Sequence, residues 1–151
     1  MPTAAFSVSI DINASPEAVF AYVADLSKHG EWAGNPLQVE VVSAGPIAVG
    51  SRYRSSAEFN GVHIHAEFQV TEYQPPSRFG FAGEDSTGKF EHLFTFQAHN
   101  GGTRLKRTVR FNLTIAQWFM FLVLLYPVRL PAAREALRLL KDRLEQTARQ
   151  E

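Results

Sequence analysis

The chain has 151 residues, 12% of them aromatic, and its fifteen basic and fifteen acidic side chains cancel to a net charge of zero. That length points to one domain, residues 1–151, able to bury roughly 70% of its unfolded surface without covalent staples. Cysteine is absent, which excludes disulfides, thiolate zinc sites, iron–sulfur clusters and cysteine nucleophiles, and the balanced charge argues against a nucleic-acid partner.

Phe6, Val8, Ile10 and Ile12 alternate with Ser7, Ser9, Asp11 and Asn13, the period of a half-buried strand. The strand stops at Ser15-Pro16-Glu17. There Ser15 can accept from a free helix N–H, Pro16 suits the first helical position, and Glu17 favours the positive helix end. A short helix through Val19, Phe20 and Val23 follows, and a second helix or turn carries Trp32. Val39 to Val42 reads as a strand ended by Gly45-Pro46.

Two strand-like segments then flank Asn60-Gly61, the dipeptide preferred in type I′ hairpin turns. A two-residue loop there sets Phe59 opposite Val62, Ala57 opposite Ile64, Ser55 opposite Ala66 and Tyr53 opposite Phe68, all on one apolar face. The other face pairs Glu58 with His63, Ser56 with His65 and Arg54 with Glu67, the last an expected cross-strand ion pair. After Pro75-Pro76, Phe79 and Phe81 start a further strand. Asn100-Gly101 marks a second hairpin, pairing Phe96 with Leu105, Phe94 with Arg107, His92 with Val109 and Phe90 with Phe111. Two polar residues, His92 and Arg107, intrude on that apolar face at diagonal positions. Nine of the twelve phenylalanines fall on strands (6, 59, 68, 79, 81, 90, 94, 96 and 111), and all nine fit one face.

The apolar run Ile115 to Tyr126, broken only by Gln117, is shorter than the ~18 residues a membrane span needs. No transmembrane segment is expected. From Pro131 a long helix is predicted by leucines 137, 140 and 144, with Arg138–Asp142 and Lys141–Glu145 as i,i+4 pairs. The N-terminal residues carry no basic, apolar leader, so the chain reads as cytoplasmic. The predicted architecture is α+β: a curved antiparallel sheet of six to seven strands wrapped around a long C-terminal helix, with two short helices after the first strand. Only that helix is long enough to cover the apolar sheet face, and a hollow is left between them.

Several segments carry a resemblance: Ile12-Asn13-Ala14-Ser15-Pro16-Glu17-Ala18-Val19-Phe20, then Asp25-Leu26 leading to Trp32. Gly50-Ser51-Arg52-Tyr53, Tyr73-Gln74-Pro75-Pro76-Ser77-Arg78-Phe79 and Gly102-Thr103-Arg104-Leu105 continue it. Over nearly its whole length the chain resembles the START-like (SRPBCC) superfamily, in its polyketide cyclase/dehydrase-type branch. The resemblance implies the helix-grip fold. It leaves function open, because members include carriers, sensors and cyclases.

Within the hollow, His92 and Arg107 are the candidate orienting pair, Arg107 a permanent donor and His92 a switchable one. Their alternative is a structural role, satisfied by each other. Tyr53 and Ser55 share the face and add hydroxyls. Phe59, Phe68, Phe81, Phe94, Val109 and Phe111 complete the candidate ligand-binding wall. His63-x-His65 with Glu58 has the residue types of a metal site. It lies on the polar face with no further ligand, so neither a metal nor another cofactor is expected. Trp32 reads as a core or rim aromatic, and His29 and Glu31 as surface. Three roles fit Trp118 to Tyr126: closing the cavity, forming a homodimer surface, or touching a membrane transiently during ligand exchange. Cavity closure leads; interfacial docking would want more basic neighbours than Arg129 and Arg134.

The expected function is binding or carriage of a small hydrophobic molecule (a lipid, polyketide-like or aromatic compound). The alternatives are a cyclase- or dehydratase-type enzyme acting on such a ligand, and a protein-interaction module working through residues 115–126.

Overall fold

Seven antiparallel strands form one sheet in the order β1-β7-β6-β5-β4-β3-β2. The computed structural model describes residues 3–33, 36–59, 61–86, 88–120, 122–123 and 126–150, with the backbone alone described at 59, 126 and 148–150. The strands are β1 (Thr3–Ile12), β2 (Leu37–Val41), β3 (Arg52–Phe59), β4 (Val62–Gln74), β5 (Arg78–Asp85), β6 (Gly88–His99) and β7 (Gly102–Asn112). Among the described residues are also three α-helices, α1 (Pro16–Ala24), α2 (Ile115–Met120) and α3 (Tyr126–Gln150), and a 3₁₀ helix at Leu26–Glu31. A seven-stranded sheet, a long C-terminal helix and short helices after the first strand make this the helix-grip arrangement.

Both hairpin registers follow from their turns. Phe59 pairs with Val62 and Tyr53 with Phe68, while Phe96 pairs with Leu105 and His92 with Val109. Asn100 and Gly101 both take positive φ, 49° and 79°, as a type I′ turn requires. Asn60 lies outside the described residues; Gly61 beside it has φ 78°. On the outer face Arg54 and Glu67 approach to 3.5 Å. Ser15 caps α1, its Oγ accepting from the Ala18 N–H at 3.2 Å, with Pro16 at the first helical position.

The strand phenylalanines build the core. Phe79 and Phe94 are fully buried, and Phe6, Phe68, Phe81, Phe96 and Phe111 nearly so. The side chain of Phe59 lies outside the described residues. One contiguous cluster joins them to Val19, Phe20, Trp32, Leu137, Leu140 and Leu144.

Two expectations about the C-terminal helix are corrected. It begins at Tyr126 and runs through Pro131 rather than starting there. Pro127 falls in its first turn, where a backbone N–H has no intrahelical partner to lose. Arg138 pairs backward with Glu135, its Nε donating to Oε2 at 2.9 Å, instead of bridging to Asp142. Lys141 does reach Glu145 at 2.9 Å and also donates to the Asp11 carbonyl at 2.6 Å. The Asn13 N–H donates to Glu145, so α3 is tied to the end of β1.

Candidate functional site

The inward stripe of α3 changes size along its length. Leu137, Leu140 and Leu144 fill the space against the sheet and are buried. Toward the N-terminal end the facing residues are Arg129, Ala132, Ala133 and Ala136, an i, i+3, i+4, i+7 stripe of mostly minimal side chains. Opposite them the sheet is also small-sided, with Ser55 and Ala57 on β3 and Ala66 on β4. Small facing small leaves a cavity of about 250 Å³, just below the range usual for drug-sized ligands. Leu37 and Val39 of β2, Phe6 of β1 and Phe68, Phe81, Phe90, Val109 and Phe111 supply its apolar wall.

His92 and Arg107 lie side by side in that wall. One Nη of Arg107 donates to His92 Nδ1 at 3.1 Å. A guanidinium can only donate, so Nδ1 is the acceptor and the neutral ring keeps its hydrogen on Nε2. Burial, then the positive charge of Arg107, hold the His92 pKa well below its ordinary value. Burial also lowers Arg107, to about 10, and at neutral pH it stays charged. His92 stacks on Phe81 at 4.8 Å, and Arg107 sits over the rings of Phe94 at 5.5 Å and Trp32 at 5.8 Å. Two donors in this group, Arg107 Nε and Trp32 Nε1, are buried without a hydrogen-bond partner among the described residues.

Of the candidate wall, Ser55, Phe68, Phe81, His92, Arg107, Val109 and Phe111 border the cavity. Tyr53 and Phe94 do not, contrary to expectation. Tyr53 lies nearly flat on Phe68 at 5.5 Å and is 3% exposed, so the Phe68 ring screens it from the hollow. Phe94 is sealed between Phe79, at 6.3 Å, and Trp32, at 6.2 Å. It supports Arg107 from behind.

His29 was expected at the surface and instead borders the cavity. The 3₁₀ helix turns it onto Trp32, where the rings stack at 4.3 Å. Burial and then the nearby Arg107 charge push its pKa down to about 3. Asp85, and Arg129, which the sequence offered only as a basic neighbour of the apolar segment, also reach the lining. Arg129 stands over Phe111 at 5.1 Å; burial lowers its pKa and the charge of Asp85 opposes that shift. The alanines of α3 were the available signal for this end of the cavity: small residues at helical spacing just before a leucine stripe.

The segment Trp118 to Tyr126 was expected to close the cavity; Phe121, Leu124 and Leu125 and the side chain of Tyr126 lie outside the described residues. Among the described residues of 115–126 none borders the hollow. Ile115, Phe119, Met120, Leu122 and Val123 are exposed, Val123 at 70%, while Trp118 packs partly on the core. The first turns of α3 face β2 and β3 across the cavity. His63 and His65 are exposed on the outer face, and among the described residues no three potential metal ligands converge. No helix among the described residues is long and apolar enough to cross a membrane.

The family described as polyketide cyclase / dehydrase and lipid transport matches residues 3–148. Among solved structures the fold is similar to that of TTHA0849 from Thermus thermophilus, with a TM-score of 0.79 at 21% identity, covering 95% of this chain and 99% of that one. It is equally similar to the Zhui aromatase/cyclase from Streptomyces sp. R1128, with a TM-score of 0.79 at 13% identity over 97% and 96% of the two chains. A third likeness is to the di-domain aromatase/cyclase StfQ from the steffimycin biosynthetic pathway, with a TM-score of 0.70 at 13% identity, covering 95% of this chain and 46% of that one. Among curated proteins nothing matches.

Proposed function

Because the chain belongs to the polyketide cyclase/dehydrase and lipid transport family, we propose that it is a cytoplasmic binding protein or carrier for a small hydrophobic molecule held between the sheet and α3. The observation that carries this reading is the cavity itself: apolar walls with one buried Arg–His pair among them. Burial of an apolar guest supplies affinity at roughly 25 cal/mol per Å², and Arg107 and His92 set its orientation.

One feature favours binding over turnover. A histidine held well below its ordinary pKa is a weak proton acceptor near neutrality, where acid–base catalysis works best with matched groups.

The test is titration with N-phenyl-1-naphthylamine, a neutral probe that brightens in apolar surroundings. Wild-type protein should bind it, and Ala133→Phe, which places a ring in the cavity, should weaken binding at least tenfold while remaining folded. A folded Ala133→Phe protein that binds as tightly as wild type would remove the cavity from the function.

A further inference from the structure

The charges of the cavity do not balance from within. Among the described residues its walls carry two guanidiniums, Arg107 and Arg129, against one carboxylate, Asp85. His29 and His92 add nothing, since burial keeps both rings neutral. The field of Asp85 acts on Arg129. Arg107 donates to an uncharged acceptor, His92 Nδ1. Its other favourable contacts are the ring faces of Trp32 and Phe94, which compensate a buried cation only weakly.

Hydrogen bonding is equally one-sided. Arg107 Nε and Trp32 Nε1 are both buried donors with no acceptor among the described residues; Trp32 lies behind the wall, and of the two side chains only Arg107 borders the cavity. Orphaned buried donors are uncommon and call for a partner. A ketone or an alcohol would accept a hydrogen bond but leave the charge of Arg107 uncompensated. An anion at the cavity face of Arg107 answers the charge, and the guanidinium fork matches the two oxygens of a carboxylate.

We infer that the guest is an apolar molecule ending in a carboxylate, which pairs with Arg107 while its hydrocarbon part lies against Phe68, Phe81 and Val109. This rests on the binding function proposed above and adds to it the sign and the anchor of the ligand. His92, keeping its Nε2 hydrogen, is a further donor in the same wall.

Calorimetric titration with 2-naphthoate and with 2-naphthalenemethanol separates the two readings, since these naphthalenes are similar in size and differ in charge. Wild-type protein should prefer the acid at least tenfold. In Arg107→Gln the preference should fall below threefold. In Arg129→Gln the acid preference should persist. Equal wild-type affinities for acid and alcohol overturn the inference and leave binding intact. So does an acid preference that survives Arg107→Gln or disappears in Arg129→Gln. If Arg107→Gln does not fold, the wild-type comparison and Arg129→Gln decide. Failure of wild type to bind either naphthalene overturns the binding function itself, and the carboxylate with it.

Discussion

Arg107 and His92 show how far alternation along two strands reaches. Their place on the apolar face follows from the register set by Asn100-Gly101, and the structure puts them 3.1 Å apart at the cavity. His29 was not legible in the same way. It sits among Lys28, Gly30 and Glu31, a polar run without periodicity, and its burial depends on Trp32 and on strands distant in the chain. Both imidazoles are held neutral in the fold, His29 down to about 3 from an ordinary 6.5. On unfolding each regains that ordinary value, so below pH 6.5 the unfolded chain binds protons that the folded chain refuses. Stability therefore falls as pH falls. For two such groups the loss between pH 7.5 and 5.5 should be roughly 2–3 kcal/mol, read from urea unfolding at each pH. His29→Gln should remove about half of that slope. A flat profile across the window would mean that the rings are not excluded from protonation in the folded state.

At the scale of elements, the hairpins were the most legible part of the fold, because turn chemistry and side-chain alternation specify the same register. The pairing of β1 with β7 has no local signature, since no turn joins them. The start of α3 was also hidden: Pro131 looks like a helix start, yet it occupies the sixth helical position. Gly83 of β5 is a further case of tertiary necessity. It lies opposite Phe68, and a Cβ there would run into the Glu67 carbonyl oxygen and the Phe68 Cβ. With neither strand free to move without disturbing the cavity wall, Gly83→Ala should cost about 2–3 kcal/mol, the upper range for overpacking. Denaturant midpoints measure this directly. A loss under ~0.5 kcal/mol would show that β4 and β5 yield freely at this point.

The whole molecule divides its apolar surface in two. One part is the sheet face, gripped by leucines at one end of α3 and left hollow over alanines at the other. The second is the solvent-facing set Ile115, Phe119, Met120, Leu122 and Val123, whose surplus hydrophobicity was legible but whose placement was not, because composition alone does not distinguish a lid from an outer surface. Since Phe119 and Val123 are 59% and 70% exposed, replacing both by serine should change unfolding stability by less than about 1 kcal/mol. A larger loss would place these side chains in the core.

The sheet order carries a consequence for how the molecule is made. Ser7 and Thr108, bonded across β1 and β7 at 3.0 Å, stand 101 positions apart, and α3 anchors to β1 from still further along the chain. Of these seven strands the one synthesised first is thus among the last to find its partner. Until β7 has been made, Phe6, Val8 and Ile12 have no sheet to join, and closure over so long a loop is intrinsically slow. For that interval the newborn chain carries an unpaired apolar strand of the kind that chaperones shield.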